Sequence, residues 1–132
     1  MPPETVIRFV TDRRHAPYGH RTGIFQIAYK LRRSSTLLEP DRSELRAMLI
    51  WFNDNLATPE RLAPSRRPHG AETAISWIRA SANQHVVRLR RLAAIVANAG
   101  IAVDELRTTR PGYVVYQDAH QVVALPFADT PQ

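Results

Sequence analysis

The sequence predicts an α+β fold: a mostly antiparallel sheet of three to four strands, made by an N-terminal strand and a C-terminal meander, packed against three helices, one of them long. Three observations lead there. A β-branched run opens the chain, apolar spacing of three and four residues governs its middle, and two-residue alternation with turn signals governs its end. Helical and strand segments therefore come in runs, an order that favours an antiparallel sheet over the alternating pattern of a parallel one. With 132 residues, 44% of them hydrophobic, the chain has the length and the apolar content of one domain, 1–132.

Thr5-Val6-Ile7-Arg8-Phe9-Val10 reads as the first strand, and residues 11–21, with Pro17, Gly19 and several charges, as a loop. Thr22 is placed to cap a helix in which Ile24, Ile27, Ala28 and Leu31 form one apolar stripe. Asp41 and Glu44 have the spacing of a capping box, and Leu45, Met48, Leu49, Phe52 and Leu56 follow as a helical seam flanked by Trp51. Residues 57–70 hold three prolines and Gly70, which forbids a long helix and makes them a connection. Residues 71–99 contain neither proline nor glycine, and Ile75, Ile78, Ala82, Val86, Leu89, Ala93 and Val96 step at helical spacing; the prediction is one long amphipathic helix ended by Gly100. A strand near 106–109, a turn at Arg110-Pro111-Gly112, and strands 113–117 and 121–125 joined by Asp118-Ala119-His120 complete the meander. A two-residue turn in that hairpin would pair Val114 with Val123 and Val115 with Val122, leaving the sheet apolar on both faces; a second copy of the chain would then cover one face, a homodimer through the sheet.

Composition narrows the chemistry. No cysteine is present, which excludes disulfides and thiolate catalysis. No glycine-rich phosphate loop or dinucleotide fingerprint occurs, and the five histidines show no compact metal spacing, so no cofactor and no metal are expected. The N-terminus lacks a signal-peptide pattern and no apolar run approaches the ~20 residues of a membrane span, hence the expectation of a cytoplasmic protein with no membrane partner. The formal net charge is +6, and every basic residue except Lys30 is arginine, the side chain suited to bidentate recognition of phosphates and carboxylates.

The basic side chains fall into three groups. Arg13, Arg14, His15, His20 and Arg21 precede a helix N-terminus, where unpaired N–H groups and the dipole favour an anion. Arg66 and Arg67 lie in the connection, and Arg88 and Arg91 on the long helix, where Arg88, Arg90 and Arg91 point to different sides. A shared face would make them a phosphate-tracking surface; scattered, they are a solvated exterior. Trp51, Trp77, Tyr113 and Tyr116 can stack on bases only if exposed, and the period of a strand puts Tyr113 and Tyr116 on opposite faces. His85 borders the apolar seam as a core or boundary histidine, and neither Ser76 nor Ser81 sits in a nucleophile elbow.

The run Leu106-Arg107-Thr108-Thr109-Arg110-Pro111-Gly112-Tyr113-Val114-Val115-Tyr116-Gln117-Asp118, with Gln121-Val122-Val123-Ala124 and an earlier Ile75-Ser76-Trp77, resembles the C-terminal half of small uncharacterised bacterial proteins. That resemblance implies a bacterial origin and carries over no activity and no residue role. The reading that follows is a non-enzymatic binding module whose arginine-rich surface meets an acidic partner, nucleic acid first and an acidic protein second. Two alternatives stay open: a protein-interaction or regulatory role in which the charge is incidental, and a small nuclease or hydrolase built on His15, His20 or His120 with nearby arginines.

Overall fold

The computed structural model describes residues 4–14, 21–58 and 74–131. Among them are six strands and three helices: β1 (Val6–Arg14), β2 (Arg21–Gly23), α1 (Ile24–Arg32), α2 (Asp41–Asn55), β3 (Ile75–Arg79), α3 (Asn83–Asn98), β4 (Val103–Thr108), β5 (Tyr113–Gln117) and β6 (Gln121–Leu125). The α+β class is as predicted. The sheet is larger than predicted, with six strands instead of three to four, and every pairing in it is antiparallel.

The long helix over 71–99 is not formed. Its first part is β3, and α3 begins only at Asn83, after a turn in which Ala82 N–H bonds to the Arg79 carbonyl. Ile75, Ile78 and Ala82 fit a helical spacing, but the same residues fit a pleated strand. Ile75 and Trp77 enter one buried cluster with Val6 and Val122, and Ile78 enters another with Ile7 and the helices. The β-branched and aromatic side chains suit a strand hydrogen-bonded on both sides, here by β1 and β6, and that pairing overrides the local helical signal.

Strand order runs β2-β1-β3-β6-β5, with β4 on β1 as well. Since β4 pairs β1 continuously from Val6 to Thr11, β3 and β2 must share the other edge of β1: β3 at Val6 and Ile7, β2 from Val10 onward. The predicted meander is also corrected, because β4 pairs β1 and not β5. β4 and β5 lie at opposite edges, yet only residues 109–112 join them. A flat sheet would hold those edges roughly 19 Å apart at about 4.8 Å per strand, more than the roughly 17 Å reach of the link. The sheet therefore curls, and its face away from the three described helices buries Val6, Trp77 and Val122 with Leu106 packed against them.

The other face carries the main core, with Ile7, Phe9 and Ile78 against Ile24, Ile27 and Leu31 of α1, Leu45, Leu49 and Phe52 of α2, and Val86, Leu89 and Leu92 of α3. The seams read from α1 and α2 are the seams that are buried. Gly23, not Thr22, occupies the N-cap of α1, and Thr22 belongs to β2. In the β5–β6 hairpin a bulge at Val115 replaces the expected register: Val114 pairs Ala124, Tyr116 pairs Val123 and Gln117 pairs Val122. The bulge adds one residue, so Tyr113 and Tyr116, opposite Leu125 and Val123, fall on the same face and not on opposite ones.

Candidate functional site

Three segments remote in sequence meet at one concave pocket: the last turn of α2, the first turn of α3 and the β5–β6 turn. The cavity, about 520 Å³, is lined by Trp51 and Asn55, residues 81–85, and Ala119 and His120. His85, at the third position of α3, is buried. Its Nε2 lies 2.8 Å from the Asn55 carbonyl oxygen. A carbonyl only accepts, so Nε2 carries a hydrogen and donates it to Asn55.

The His85 ring meets Trp51 edge-on, 4.8 Å between centroids, and stacks on His120 at 4.3 Å with 24° between planes. His120 is exposed. The turn that presents it is tightly bound: Asp118 Oδ1 accepts from the backbone N–H of His120 at 2.8 Å and of Gln121 at 3.0 Å, while Oδ2 accepts from the Tyr116 hydroxyl at 2.8 Å. Burial opposes ionisation of Asp118, but the bonds from His120, Tyr116 and Gln121 outweigh it and hold the carboxyl below its ordinary range. The His120 carbonyl accepts from Arg79 N–H at 2.9 Å, fixing the turn to β3.

Arg88 does not line the cavity, but its guanidinium lies over the Trp51 ring, 4.0 Å from the centroid, while its Nη1 donates to the carbonyl and Oε1 of Gln84. The start of α3 has no side-chain cap hydrogen bond and no acidic residue in its first turn, which leaves the positive end of the helix dipole uncompensated by the helix itself. One carboxylate stands nearby. Ser81 Oγ donates to Glu4 Oε1 at 2.8 Å, and this bond, opposed by burial and aided by Arg79, keeps Glu4 below its ordinary range. The Ser81 hydroxyl is thus committed to Glu4, so Ser81 and His85 do not form a nucleophile–base pair.

Of the described residues singled out from sequence for a site, His120 lines this pocket and Arg88 reaches its Trp51 wall. Arg91 pairs through both nitrogens with Glu44 of α2, at 2.6 Å each. Arg21 is held by Asp104 and by the Thr11 carbonyl. Arg13 and Arg14 end β1, with side chains outside the description, and His15, His20, Arg66 and Arg67 lie outside the described residues. Trp51, His85 and His120 were not grouped by sequence reasoning. His85 at the edge of an apolar seam was the only local sign, since no spacing connects positions 51, 85 and 120. Among the described residues no group of three or more His, Asp or Glu stands together as a metal site, and no helix is long and apolar enough to cross a membrane.

Fold and pocket together describe a curled antiparallel sheet with helices on one face and an indole- and imidazole-lined cavity at the junction of two helix ends. No family model matches this chain, and no curated protein or solved structure matches it.

Proposed function

We propose that this protein is a non-enzymatic binding module for an acidic partner, single-stranded nucleic acid first, and that the pocket between α2 and α3 is where a base and its phosphate engage. The observation that supports this reading is the joint presence, around one cavity, of a cation-capped indole, two stacked imidazoles and a helix N-terminus free of acidic residues. The exposed face of His120 offers a stacking platform, Asn55, Asn83 and Gln84 offer hydrogen bonds to base edges, and Arg88 with the α3 dipole favours a phosphate. In this proposal Arg66, Arg67, Arg13, Arg14, His15 and His20 extend the basic surface, while Arg91 and Arg21 tie elements together. A homodimer, in the same proposal, pairs through β5, an edge strand on which Tyr113 and Val114 are exposed, because the sheet face away from the described helices already buries Val6, Ile75, Trp77 and Val122.

Fluorescence anisotropy with labelled single-stranded DNA and RNA at about 50 and 200 mM salt tests the reading. The expected result is binding that weakens steeply with salt and loses about 1–3 kcal/mol on His120→Ala or Trp51→Ala. Absence of binding at the lower salt overturns it and moves the search to a protein partner, for which the exposed Ile50, Leu38 and Val87 are the apolar contacts to try.

A second reading, a small nuclease or hydrolase, is favoured by one specific observation: two stacked imidazoles share the cavity, with the Nε2 of His85 engaged by the Asn55 carbonyl. His120→Ala would then abolish turnover of RNA or phosphodiester substrates while leaving binding nearly intact.

A further inference from the structure

We infer that a second cavity, at the fork where β1 leaves β3 for β2, is a binding site for a small neutral amphiphile: an apolar body with one uncharged hydroxyl or amide head. It does not rest on the pocket between α2 and α3.

The fork follows from the strand register. β3 accompanies β1 only at Val6 and Ile7, and β2 joins that same edge at Val10. Between those pairings lies a cavity of about 250 Å³ walled by Ile7, Phe9, Ile24, Leu56, Ile78 and Leu89. Ile7 and Ile78 are register partners. They and the next residues in phase with them, Phe9 and Ser76, therefore point to one face of the sheet, the face on which α1 and α3 pack.

Size and access make this opening a site. Protein interiors hold few voids larger than a water molecule. An apolar cavity of roughly 150 Å³ already takes up benzene or xenon, and this one is larger. Ser76 belongs to a strand paired on both sides, yet it is exposed, as are Ala57 and Thr58, which line the cavity with it. Ile7, Phe9, Ile24, Ile78 and Leu89 are buried, none more than 5% exposed. The cavity thus has a polar mouth at Ser76 and an apolar inner end.

The lining offers hydrogen bonds and no charge. Among the described residues no aspartate or glutamate lines it. Arg8 lines it from the strand, but its register partner is Leu106, and strand alternation turns its side chain to the opposite face with Val6. Ser76 Oγ donates its hydrogen to Gln121 Oε1 at 2.8 Å, and Gln121 Nε2 is engaged by the Ala57 carbonyl at 2.6 Å. The Ser76 oxygen therefore keeps lone pairs for a donor and has no hydrogen left to give. Phe9 adds backbone groups. The Thr5 carbonyl accepts from Ala80 N–H at 3.0 Å on this edge of β1, and by two-residue alternation Ile7 and Phe9 direct their backbone groups the same way. Phe9 N–H and C=O thus meet the opening where no described strand pairs with them, and buried backbone groups favour a partner that completes their hydrogen bonds.

These features set the ligand class. A carboxylate or an ammonium would lose its hydration here without meeting a counter-charge, whereas a hydroxyl or an amide N–H exchanges water for Ser76 and the strand edge. The volume lies below the roughly 300–1,000 Å³ of sites for drug-sized ligands, so the body is a short alkyl chain or a single ring against the isoleucine, leucine and phenylalanine side chains.

Isothermal titration at neutral pH with 1-hexanol, hexanoate and hexylammonium, which share one alkyl body, tests this. The expected result is one-to-one binding of hexanol with Kd below about 1 mM, and binding of either ion weaker by at least about tenfold. Ser76→Ala, checked for a native circular dichroism spectrum, should lower the affinity for hexanol by at least about threefold. In the unmodified protein the methyl resonances of Ile24, Ile78 and Leu89 should shift saturably on hexanol addition, a readout that does not depend on a variant folding. The proposal is overturned if hexanol does not bind, if either ion binds as tightly, if those methyls stay unmoved, or if Ser76→Ala leaves the affinity unchanged.

Discussion

His85 and His120 are stacked on each other, yet they carry very different structural burdens. His85 is buried, bonds the last carbonyl of α2 and packs against Trp51 and Phe52, so His85→Ala removes an aromatic body and leaves the Asn55 carbonyl without its donor. The expected loss is about 2–4 kcal/mol in urea denaturation. His120→Ala removes only an exposed stacking partner and should cost about 0.5–1.5 kcal/mol, so a larger loss at His120 than at His85 would contradict this assignment. Arg8 makes the opposite prediction. Replacing a buried cation that has no ion pair among the described residues by Met should leave stability unchanged or raise it, within about 1–4 kcal/mol, despite the lost bond to Arg21. None of these roles was visible residue by residue: Arg8 sits in a β-rich run like any outward-facing strand residue, and its burial depends on where β2 and β3 part.

At the scale of elements, the sequence was legible where one helix face meets one core. α1 and α2 bury Ile24, Ile27, Leu31, Leu45, Leu49 and Phe52, as their spacing predicts, and β5 and β6 have the predicted bounds. It was illegible where a distant partner decides. The segment 75–79 satisfies both periods, and only pairing with β1 and β6 makes it a strand. β2 is three residues long and gives no periodic signal of its own. The Val115 bulge cannot be read from the hairpin sequence, because it is defined by two residues facing one on the partner. Gly112 is one position where the sequence did state its reason, as part of the Pro-Gly turn. Its φ is +133°, and a Cβ there would lie 1.9 Å from the Leu125 carbonyl oxygen. Gly112→Ala should therefore destabilise by at least about 2 kcal/mol, readable as a lower Tm, and an unchanged Tm would show that the β4–β5 link does not lie against the end of β6.

Across the whole molecule, much of the arginine-rich surface is spent on joining elements. Arg91 ties α3 to α2 through Glu44, Arg90 ties α3 to β4 through Glu105, and Arg21 ties β2 to β4 through Asp104. Counting charge from sequence could not separate such pairs from cations free to meet a partner. The pairs also set a pH dependence. Hydrogen bonds from Arg91 to Glu44, from Arg90 to Glu105 and from Ser81 to Glu4 lower the pKa of each carboxylate, and Asp118 is lowered in net by its four hydrogen bonds despite burial. A carboxylate whose pKa is lower folded than unfolded stabilises the fold above the unfolded value, and that contribution is lost as pH falls through the folded one. The Tm should thus be level above about pH 5 and fall progressively as the pH drops below about 4, with a shallower fall in Asp118→Asn. A Tm that rises on acidification would contradict the pairing.

Trp51, His85 and His120 line one cavity, with Arg88 over the Trp51 ring, and this is the proposed binding site. Side-chain NMR, following the indole and imidazole resonances while a short single-stranded oligonucleotide is added, tests it most directly. Binding there should give saturable shifts of the Trp51 and His120 resonances, smaller ones for the buried His85, and their loss at high salt. Saturable binding that leaves all three unmoved would place the nucleic-acid surface elsewhere and contradict it.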